Sequence, residues 1–435
     1  MRIAVIGAGI SGLGAAWLLG RDHDVTIFEK QDRIGGHANT VDVTVNGKTI
    51  PVDTGYIVYN ELNYPNLIGL FDCLSVPTQG SKMTFSVSLR DKELEYEGSL
   101  AGLLAQPSNL FKPRYWSMLN GLRRFYAEGY KLSQASTADE TLGDFIQRCG
   151  FSDAFIEDHL LPMGAAIWSC PTETMLGFPV RSFMQFMENH KLMNYIDRPV
   201  WRTVTGGSRQ YIRRLLDDFS GKVHQNATIT GLKRQGAGVI VSVEGEGDIY
   251  FDKVIMAAHA DESLALIQDA SKQEQDLLGA FQFQPNKVIL HSDPDLMPKR
   301  KGAWAAWNYL TSRKSGDNQL SLTYWMNKLQ SIDKNVPLYV TLNPFDDPKD
   351  ELTHQEFSYD HPIFDKAAIS AQNQLGEIQG QNHLYFCGAW TKYGFHEDGL
   401  ASAVKVAKSL GVKIPWDSPT TAWHEPQAIE DRLEA

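Results

Sequence analysis

The stretch "RIAVIGAGISGLGAAWLLG", residues 2–20, decides the fold of this chain. Apolar residues before Gly7 predict a short strand, and the apolar run from Leu13 predicts a helix. Between them Gly7, Gly9 and Gly12 have the spacing GxGxxG. The first glycine permits a tight turn, the second lets the backbone approach a pyrophosphate, and the third brings the helix close to the strand. Because free amides at a helix start attract phosphate, this stretch predicts a strand–turn–helix unit that binds a dinucleotide, with Ser11 in the first helical turn.

A second predicted strand, "DVTIF", ends at Glu29, about 20 residues beyond the glycines, where such folds carry an acidic residue. Its carboxylate can accept hydrogen bonds from both ribose hydroxyls and would repel a 2′-phosphate. A glycine-rich turn without a ligand is the alternative explanation. The order of strand, glycines, helix and acid favours the dinucleotide, with Lys30 directly after the acid.

Composition limits the class of protein. The 435 residues are 43% hydrophobic and 21% charged, which is typical of a globular chain with two or three lobes. The net charge of −11 argues against nucleic acid as a partner. No apolar run is long enough to span a bilayer and no signal peptide pattern precedes the first strand, so we expect a cytoplasmic protein. The cysteines, Cys73, Cys149, Cys170 and Cys387, lack CxxC spacing and predict neither disulfides nor structural zinc.

The order of predicted elements indicates a discontinuous nucleotide-binding domain. A second glycine turn at Gly206 and Gly207 leads into a helix and several strands, and "NHLYFCGAW" supplies a late strand. The intervening segments read as helical and aromatic first, then rich in strands. The expected division is 1–75, 201–265 and 380–412 for the nucleotide-binding domain, 76–200 and 266–379 for a substrate domain with a helical part and a mixed sheet, and 413–435 for a polar tail.

The segment "EKQDRIGGHANT", residues 29–40, identifies the dinucleotide by resemblance. Arg33, Gly35 and Gly36 resemble the extended fingerprint of the flavin amine oxidase and phytoene desaturase superfamily, where RxGG lies along the FAD phosphates. That superfamily usually has an arginine after the paired glycines, and here His37 stands instead. The resemblance implies non-covalent FAD in an α/β, Rossmann-like domain of the glutathione reductase type, with an inserted α+β substrate domain as in monoamine oxidase.

The same resemblance extends the set of cofactor contacts. "VDTGYIVYN" (52–60) is similar to the segment that passes the flavin ring, and "YFCGAW" (385–390) is similar to the last FAD strand. The cofactor-binding residues predicted in this way are Gly7, Gly9, Ser11, Gly12, Glu29, Lys30, Arg33, Gly35, Gly36, His37, Gly55, Tyr56, Ile229, Ala257, Gly388, Ala389, Gly399 and Leu400.

Two residues are candidates for catalysis. Lys287 lies in "QPNKVILHSD", which resembles the amine oxidase strand whose lysine reaches the flavin through a water; an ordinary solvent-facing lysine is an equal alternative. His396 is a candidate general base or hydrogen-bond donor near the flavin, or a structural residue. Its neighbours Glu397 and Asp398 suit a helix start, since adjacent side chains on a turn cannot converge on one metal ion.

The substrate is inferred from a narrower resemblance. Phe395 stands where amine oxidases tend to carry a tyrosine of an aromatic cage. "SKMTFSVS", "AWAAWNYL" and "GFHEDGLASA" resemble a bacterial branch of FAD-binding proteins encoded beside cyclopropane-fatty-acyl-phospholipid synthase. The branch implies desaturation of a methyl-branched or cyclopropane-related fatty acyl chain, free or in a phospholipid. Amine oxidation is the alternative. A non-catalytic flavin-binding partner of a lipid methyltransferase is another, because His37 and Phe395 depart from the pattern.

One further stretch, "NLFKPRYWSMLNGLRRFYAEGYKL" (109–132), mixes basic and aromatic residues. It predicts either a helix with a solvated basic face and a core stripe, or a surface that docks on anionic lipid headgroups. The second interpretation would make the protein peripheral at the inner face of the membrane.

Overall fold

A computed structural model describes residues 1–45, 47–137, 139–194, 198–311 and 320–417. Most of the predicted tail, from 418 to 435, lies outside the described residues. The strands are β1 (Arg2–Ile6), β2 (Asp24–Phe28), β3 (Thr40–Val45), β4 (Lys48–Asp53), β5 (Tyr59–Asn60), β6 (Thr78–Ser81), β7 (Phe85–Leu89), β8 (Leu94–Glu97), β9 (Trp201–Val204), β10 (Lys222–His224), β11 (Ile229–Gln235), β12 (Gly238–Val243), β13 (Gly247–Phe251), β14 (Lys253–Met256), β15 (Gln282–His291), β16 (Trp307–Thr311), β17 (Leu320–Trp325), β18 (Tyr339–Leu342), β19 (Thr353–Ile363) and β20 (Leu384–Phe386).

The helices are α1 (Ile10–Leu19), α2 (Pro65–Cys73), α3 (Leu100–Leu103), α4 (Pro113–Ser133), α5 (Leu142–Arg148), α6 (Asp153–Phe155), α7 (Leu161–Trp168), α8 (Thr172–Leu176), α9 (Val180–Asn189), α10 (Arg209–Asp218), α11 (Ala260–Leu266), α12 (Lys272–Leu278), α13 (Met326–Leu329), α14 (Lys366–Gln374) and α15 (His396–Ser409). A π-helical turn, Ile156–Leu160, joins α6 to α7, and a 3₁₀ turn, Pro107–Phe111, precedes α4. None of the helices in the described ranges is long and apolar enough to cross a membrane.

A five-stranded parallel sheet has the order β10-β2-β1-β14-β20. Four of its strands are largely apolar and buried, as expected for a parallel sheet covered on both faces. Helix α1 is buried along its whole length and packs on α15. The α/β fold class predicted from the sequence is therefore present in the structure.

The strands of this sheet end in register. Ile6 pairs with Phe28 on one side and with Met256 on the other, and Met256 pairs with Phe386. The residues that follow these four strands therefore come out at one edge. In open α/β sheets, ligands bind beyond this carboxyl edge.

The second large sheet has seven strands in the order β19-β15-β18-β17-β16-β7-β8. One core cluster joins strands of this sheet to helices of the 76–200 segment, including the buried aromatic residues Phe125, Phe155 and Phe183. This mixed sheet and its helices form the part of the molecule that faces the nucleotide-binding sheet across a cavity.

Asp53 connects chain segments that are far apart in sequence. Its carboxylate accepts hydrogen bonds from the hydroxyls of Thr40 and Ser208, from the Ser208 backbone amide and from Gln330 Nε2, at 2.6–2.9 Å. The backbone amide of Asp53 in turn donates to Gln330 Oε1. The carboxylate is almost fully buried, and burial raises its pKa to about 6. A single buried side chain thus ties two nucleotide-binding segments to the inserted lobe.

Candidate active site

A cavity of about 990 Å³ lies beyond the carboxyl edge of the parallel sheet. This volume is at the upper end of the range usual for ligand sites. Fourteen of the predicted cofactor residues line it: Gly7, Gly9, Ser11, Glu29, Lys30, Arg33, Gly36, His37, Gly55, Tyr56, Ile229, Ala257, Gly388 and Ala389. Many of them directly follow β1, β2, β14 or β20. Because these strands end in register, the sheet brings the residues together at one edge.

The turn after β1 leaves space for a phosphate. No atom lies within 4 Å of the place where a Cβ on Gly9 would stand, and Gly9 lines the cavity at the start of α1. Gly7 has φ +102°, a conformation that favours glycine. The guanidinium of Arg33 donates to the backbone carbonyls of Gly36 and Ala38 within the second glycine loop, and the Gly35 amide donates to the carbonyl of Ala8, which holds that loop against the first. The open cradle at a helix start fits a pyrophosphate.

Glu29 is held rigidly at the ribose position. It is buried, and its two carboxylate oxygens accept hydrogen bonds from the backbone amides of Ala8 and Gln31, at 2.8 and 2.9 Å. Each oxygen retains a lone pair, and the residue lines the cavity. Lys30 beside it forms an ion pair with Glu262. This geometry fits a carboxylate that accepts ribose hydroxyls.

His37 occupies the position where the related superfamily usually carries arginine. Its ring lies 5.0 Å from that of Tyr359 and 5.5 Å from that of His361, centroid to centroid. Its Nε2 is buried without a hydrogen-bond partner in the described structure, and the residue lines the cavity. Burial holds the pKa of His37 well below its usual range. A neutral imidazole with a free ring nitrogen therefore replaces a permanent charge.

Four residues predicted to bind the cofactor do not line the cavity: Gly12, Gly35, Gly399 and Leu400. They support the cradle from behind. A Cβ on Gly12 would overlap the carbonyl oxygen of Gly7, and one on Gly399 would lie 2.8 Å from Ser11 Oγ. Leu400 packs onto α1 at Gly14. Close packing fills the space beside Gly12, Gly399 and Leu400, and the contact of these four residues with the cofactor stays a prediction.

The acidic pair after His396 serves two helices. Asp398 accepts a hydrogen bond from the backbone amide of Phe395 and caps α15, which begins at His396. Glu397 instead reaches α2, where it accepts from the amides of Asn66 and Leu67 and from Asn66 Nδ2. Burial raises the pKa of Glu397 to about 8 although these donors favour its charged form. Both acids therefore have structural partners.

His396 lines the cavity, as predicted. Its ring stacks on Tyr56 at a centroid distance of 3.8 Å, and its Nε2 lies 2.8 Å from the hydroxyl oxygen of Tyr211. Burial lowers the pKa of His396 to about 3. Such a weakly basic imidazole is a poor general base, so the geometry favours hydrogen bonding and positioning over proton abstraction.

Lys287 is outside the cavity. Its side chain is exposed on β15, with Nζ 2.8 Å from Asp347 and 3.6 Å from Glu356. Because side chains alternate along a strand, the neighbouring Asn286 and Val288 point inward and Lys287 points to solvent. The interpretation of Lys287 as a catalytic residue is therefore wrong for this structure.

We expect Lys287→Met to leave the flavin chemistry unchanged. The lysine only forms surface ion pairs, which contribute about 0–1 kcal/mol to stability. Stopped-flow rates of flavin reduction and reoxidation should stay within about twofold of the parent protein, a barrier change of less than about 0.5 kcal/mol. A slowing of about tenfold or more in either rate would restore Lys287 to the mechanism.

The other end of the cavity is apolar. We call the following set of lining residues the apolar wall: Met83, Ile167, Trp168, Trp307, Tyr324, Phe357, Tyr393 and Phe395. The charged residues that line the cavity are Glu29, Lys30, Asp32, Arg33, Glu262 and Asp360. The ion pair of Lys30 and the proximity of Asp360 to it place this charge at the nucleotide end. Among the residues that the structure describes, no charged side chain lies on the apolar wall.

Sequence reasoning missed most of the apolar wall. Trp168 is fixed by ring contacts with Phe178, Phe183 and Phe186, and its Nε1 is buried without a partner in the described structure. The next residue, Ser169, has φ +54° and also lines the cavity. Ser169 ends α7 in the left-handed conformation, which turns the chain along the cavity, and such a backbone dihedral is not visible in a sequence.

A comparison of the sequence with protein-family models agrees with a flavin-binding site. The model for flavin containing amine oxidoreductases matches residues 10–328, more than two thirds of the chain. The chain belongs to this family. Membership confirms the predicted family resemblance and the flavin cofactor. Three features of the site fit FAD: the open turn at Gly9, the carboxylate of Glu29 and the unpartnered Nε2 of His37.

Similar curated proteins match only in part. Over 182 residues the chain is 27% identical to a 4,4'-diapophytoene desaturase of Staphylococcus aureus, covering 34% of this chain and 35% of that one. Tryptophan 2-monooxygenase of Pseudomonas savastanoi is 25% identical over 300 residues, covering 59% and 52%. Mitochondrial protoporphyrinogen oxidase of Nicotiana tabacum is 30% identical over 153 residues, covering 34% and 29%. The chain thus spans between about a third and a half of these relatives.

Solved structures share the fold over nearly the whole chain. A CLA-producing fatty acid isomerase from P. acnes has a TM-score of 0.67 at 15% identity, covering 94% of this chain and 99% of that one. Cyclohexylamine oxidase from Brevibacterium oxydans has the same TM-score, identity and coverage. These likenesses confirm the predicted FAD-binding fold with a monoamine oxidase-like second lobe.

Proposed function

We propose that this protein is an FAD-dependent oxidoreductase that dehydrogenates an apolar substrate, a methyl-branched or cyclopropane-related fatty acyl chain. The observation that carries the proposal is the apolar wall. Burying a methylene against apolar side chains contributes about 0.8 kcal/mol, so such a wall favours a hydrocarbon chain. A cationic amine would lose its hydration there without a carboxylate to replace it.

The protein's own groups bind and orient in this proposal. FAD, when bound, supplies the oxidant and accepts a hydride from the substrate carbon. The aromatic rings of Trp168, Trp307 and Phe395 hold the chain along the apolar wall. Trp168 Nε1 is a free donor within the same wall and is available to an acceptor such as an acyl carbonyl. The accompanying proton passes to water, because His396 is too weakly basic to hold it.

Relatives and fold neighbours support an oxidoreductase but do not select the substrate. One relative is named a desaturase and another a monooxygenase of tryptophan. Among the fold neighbours, one is a fatty acid isomerase and another a cyclohexylamine oxidase. Amine oxidation therefore remains an outcome that the experiment has to distinguish, as does a flavin-binding partner of a lipid methyltransferase without its own turnover.

The experiment is anaerobic reduction of the purified flavoprotein. Phospholipids with methyl-branched or cyclopropane acyl chains, and separately polyamines and cyclohexylamine, are mixed with the protein while the visible flavin band is followed. We expect bleaching with the lipids. Bleaching with the amines alone would contradict the proposal in favour of amine oxidation, and bleaching with none would favour the non-catalytic partner.

A pair of variants ties the reaction to the apolar wall. Met83 is half-buried and lines the cavity, so Met83→Leu keeps the wall apolar and Met83→Asp places a charge in it. Reduction by lipid should slow by about tenfold or more in Met83→Asp, because partial burial of an ionised carboxylate beside a hydrocarbon chain costs at least about 1–2 kcal/mol. Met83→Leu should resemble the parent, and both variants should retain flavin. Equal rates in the two variants would show that the substrate does not contact this wall.

A further inference from the structure

The segment between β8 and α4 carries its apolar side chains outward. Leu100 and Phe111 are 86% and 87% exposed, and Leu104 and Trp116 are each 54% exposed. With the partly exposed Leu110, these five residues form what we call the exposed apolar patch. The Nε1 of Trp116 donates to the carbonyl of Leu110, so the indole is fixed beside the 3₁₀ turn. Clustered exposure of this kind is typical of an interaction site.

Polar side chains of the same segment point inward. Gln106 and Asn109 are buried, and they bond the backbone of β8 through Glu93 and Glu95. This arrangement reverses the usual distribution, in which polar groups face water and apolar groups face the core. Since three hydrogen bonds fix the segment to the sheet edge, the outward apolar side chains are held in place.

Much of helix α4 is engaged in contacts within the protein. Tyr115 and Phe125 are buried in the core, and Arg114 forms ion pairs with Glu157 and Asp158. Arg124 lies over the ring of Phe151. Only the first turn of the helix, through Trp116, belongs to the exposed apolar patch.

Three lysines lie beside the patch. Lys112 directly follows Phe111, and its Nζ donates to the carbonyl of Glu93. Lys299 and Lys301 are exposed on the neighbouring loop, which contacts the segment where Gly302 lies against Ala105. Of the nearby acids, Glu95 and Glu97 are buried and turned inward, whereas Glu93 is exposed. A basic rim in a chain of net charge −11 is complementary to an anionic surface.

One end of the patch, at Leu100, lies on the side of the sheet that leads to the apolar wall, and the rest runs back along β8 toward Glu93. The patch follows β8, whose end lies beside the start of β7, since the Gly98 amide donates to the carbonyl of Phe85. Phe85 pairs with Trp307, and Met83 precedes it by two residues. Trp307 and Met83 both belong to the apolar wall of the cavity. The exposed segment thus leaves the sheet at the end where the substrate is proposed to lie.

We infer that the exposed apolar patch docks this protein on the surface of an anionic phospholipid bilayer. Phe111, Leu100 and Leu104 enter the headgroup region, and the lysine rim contacts anionic headgroups. Docking brings the lipid surface next to the apolar wall. The docking inference rests on the proposed function only for the reason why the protein would dock. Vesicle binding is measured without turnover, so the docking inference and the proposed function can each fail while the other stands.

The test is cosedimentation of the purified holoprotein with vesicles of phosphatidylglycerol mixed with phosphatidylcholine, or of phosphatidylcholine alone. The variant Leu100→Asn/Leu104→Asn/Phe111→Asn should bind the anionic vesicles at least about tenfold more weakly than the parent. A matched control, Leu62→Asn/Val200→Asn/Val223→Asn, changes three exposed apolar residues in other segments and should bind like the parent. Binding by the parent should also weaken as salt rises from about 0.1 M to about 1 M.

Several outcomes would overturn the inference. These are absence of parent binding to anionic vesicles, unchanged binding of the triple variant, or equal loss in the control. A parent that is oligomeric and becomes monomeric in the triple variant would instead make the patch a contact between protein chains. Phe111→Asn alone, at the most exposed position, repeats the test if the triple variant loses flavin; its binding should fall by at least about threefold, and unchanged binding would contradict the inference.

Discussion

The variant Gly9→Val is expected to fold normally and to bind FAD about a hundredfold more weakly. No atom lies within 4 Å of the position of a Cβ on Gly9, so the valine side chain has room in the empty cradle. The backbone at Gly9 is extended, with φ −75°, which valine also adopts. The new methyl groups would occupy the space into which a pyrophosphate has to approach the start of α1.

Flavin content gives the measurement. The ratio of flavin to protein absorbance is recorded after purification and after addition of excess FAD, and the thermal unfolding of both apoproteins is compared. Gly376 also has no atom near the position of a Cβ, and it lies outside the cavity, so Gly376→Val is a matched control. A Gly9→Val protein with the parent's flavin content would show that the cofactor does not pass over this turn.

Replacing Asp53 by alanine is expected to lower the free energy of unfolding by about 3–5 kcal/mol. The carboxylate is buried and accepts four hydrogen bonds, and its removal leaves the donors of Thr40, Ser208 and Gln330 without that partner. Because folding raises the pKa of Asp53 to about 6, the folded state holds this proton more tightly than the unfolded chain. The cost should therefore be larger below about pH 6 than above it.

The control for Asp53 lies on the same hairpin. Asp42 is exposed and forms an ion pair with Arg209, so Asp42→Ala should cost no more than about 1 kcal/mol. Denaturant unfolding of both variants, with loss of bound flavin followed alongside, measures the difference. If Asp53→Ala were as stable as Asp42→Ala, the connection between the two lobes would not depend on this carboxylate.

Much of the fold could be predicted because the local sequence patterns place strands and turns where the parallel sheet requires them. The GxGxxG turn, the strand before Glu29 and the late strand before Gly388 each have a mechanical reason that is visible in the sequence. The role of Ser208 was less predictable: it directly precedes α10, where a serine usually caps the helix. Its hydroxyl donates to Asp53 instead, and no side-chain hydrogen bond caps the helix. A partner 155 residues away competed with the local amide, and a local pattern carries no information about it.

The nucleotide end of the site could be predicted better than the substrate end. Backbone turns at strand ends have fixed chemistry, so Gly9, Glu29 and His37 line the cavity as expected. The apolar wall is assembled from six separate segments of the chain, and its members, such as Trp168 and Trp307, look like ordinary core residues in the sequence. The prediction of a catalytic role for Lys287 was wrong for a related reason, because a strand pattern does not show which face of the sheet meets the cavity.

The parallel sheet takes its first strand from residues 2–6 and an edge strand from residues 384–386. During synthesis on the ribosome, β14 therefore waits with one edge unpaired until β20 has emerged. Such unpaired edges are sites where nascent chains associate wrongly. Strand β20 also delivers Gly388 and Ala389 to the cavity, so a complete flavin site can form only after this strand has emerged. Expression yield should accordingly depend on chaperones that protect the open edge of β14 until then, and on the flavin supply once β20 has joined the sheet.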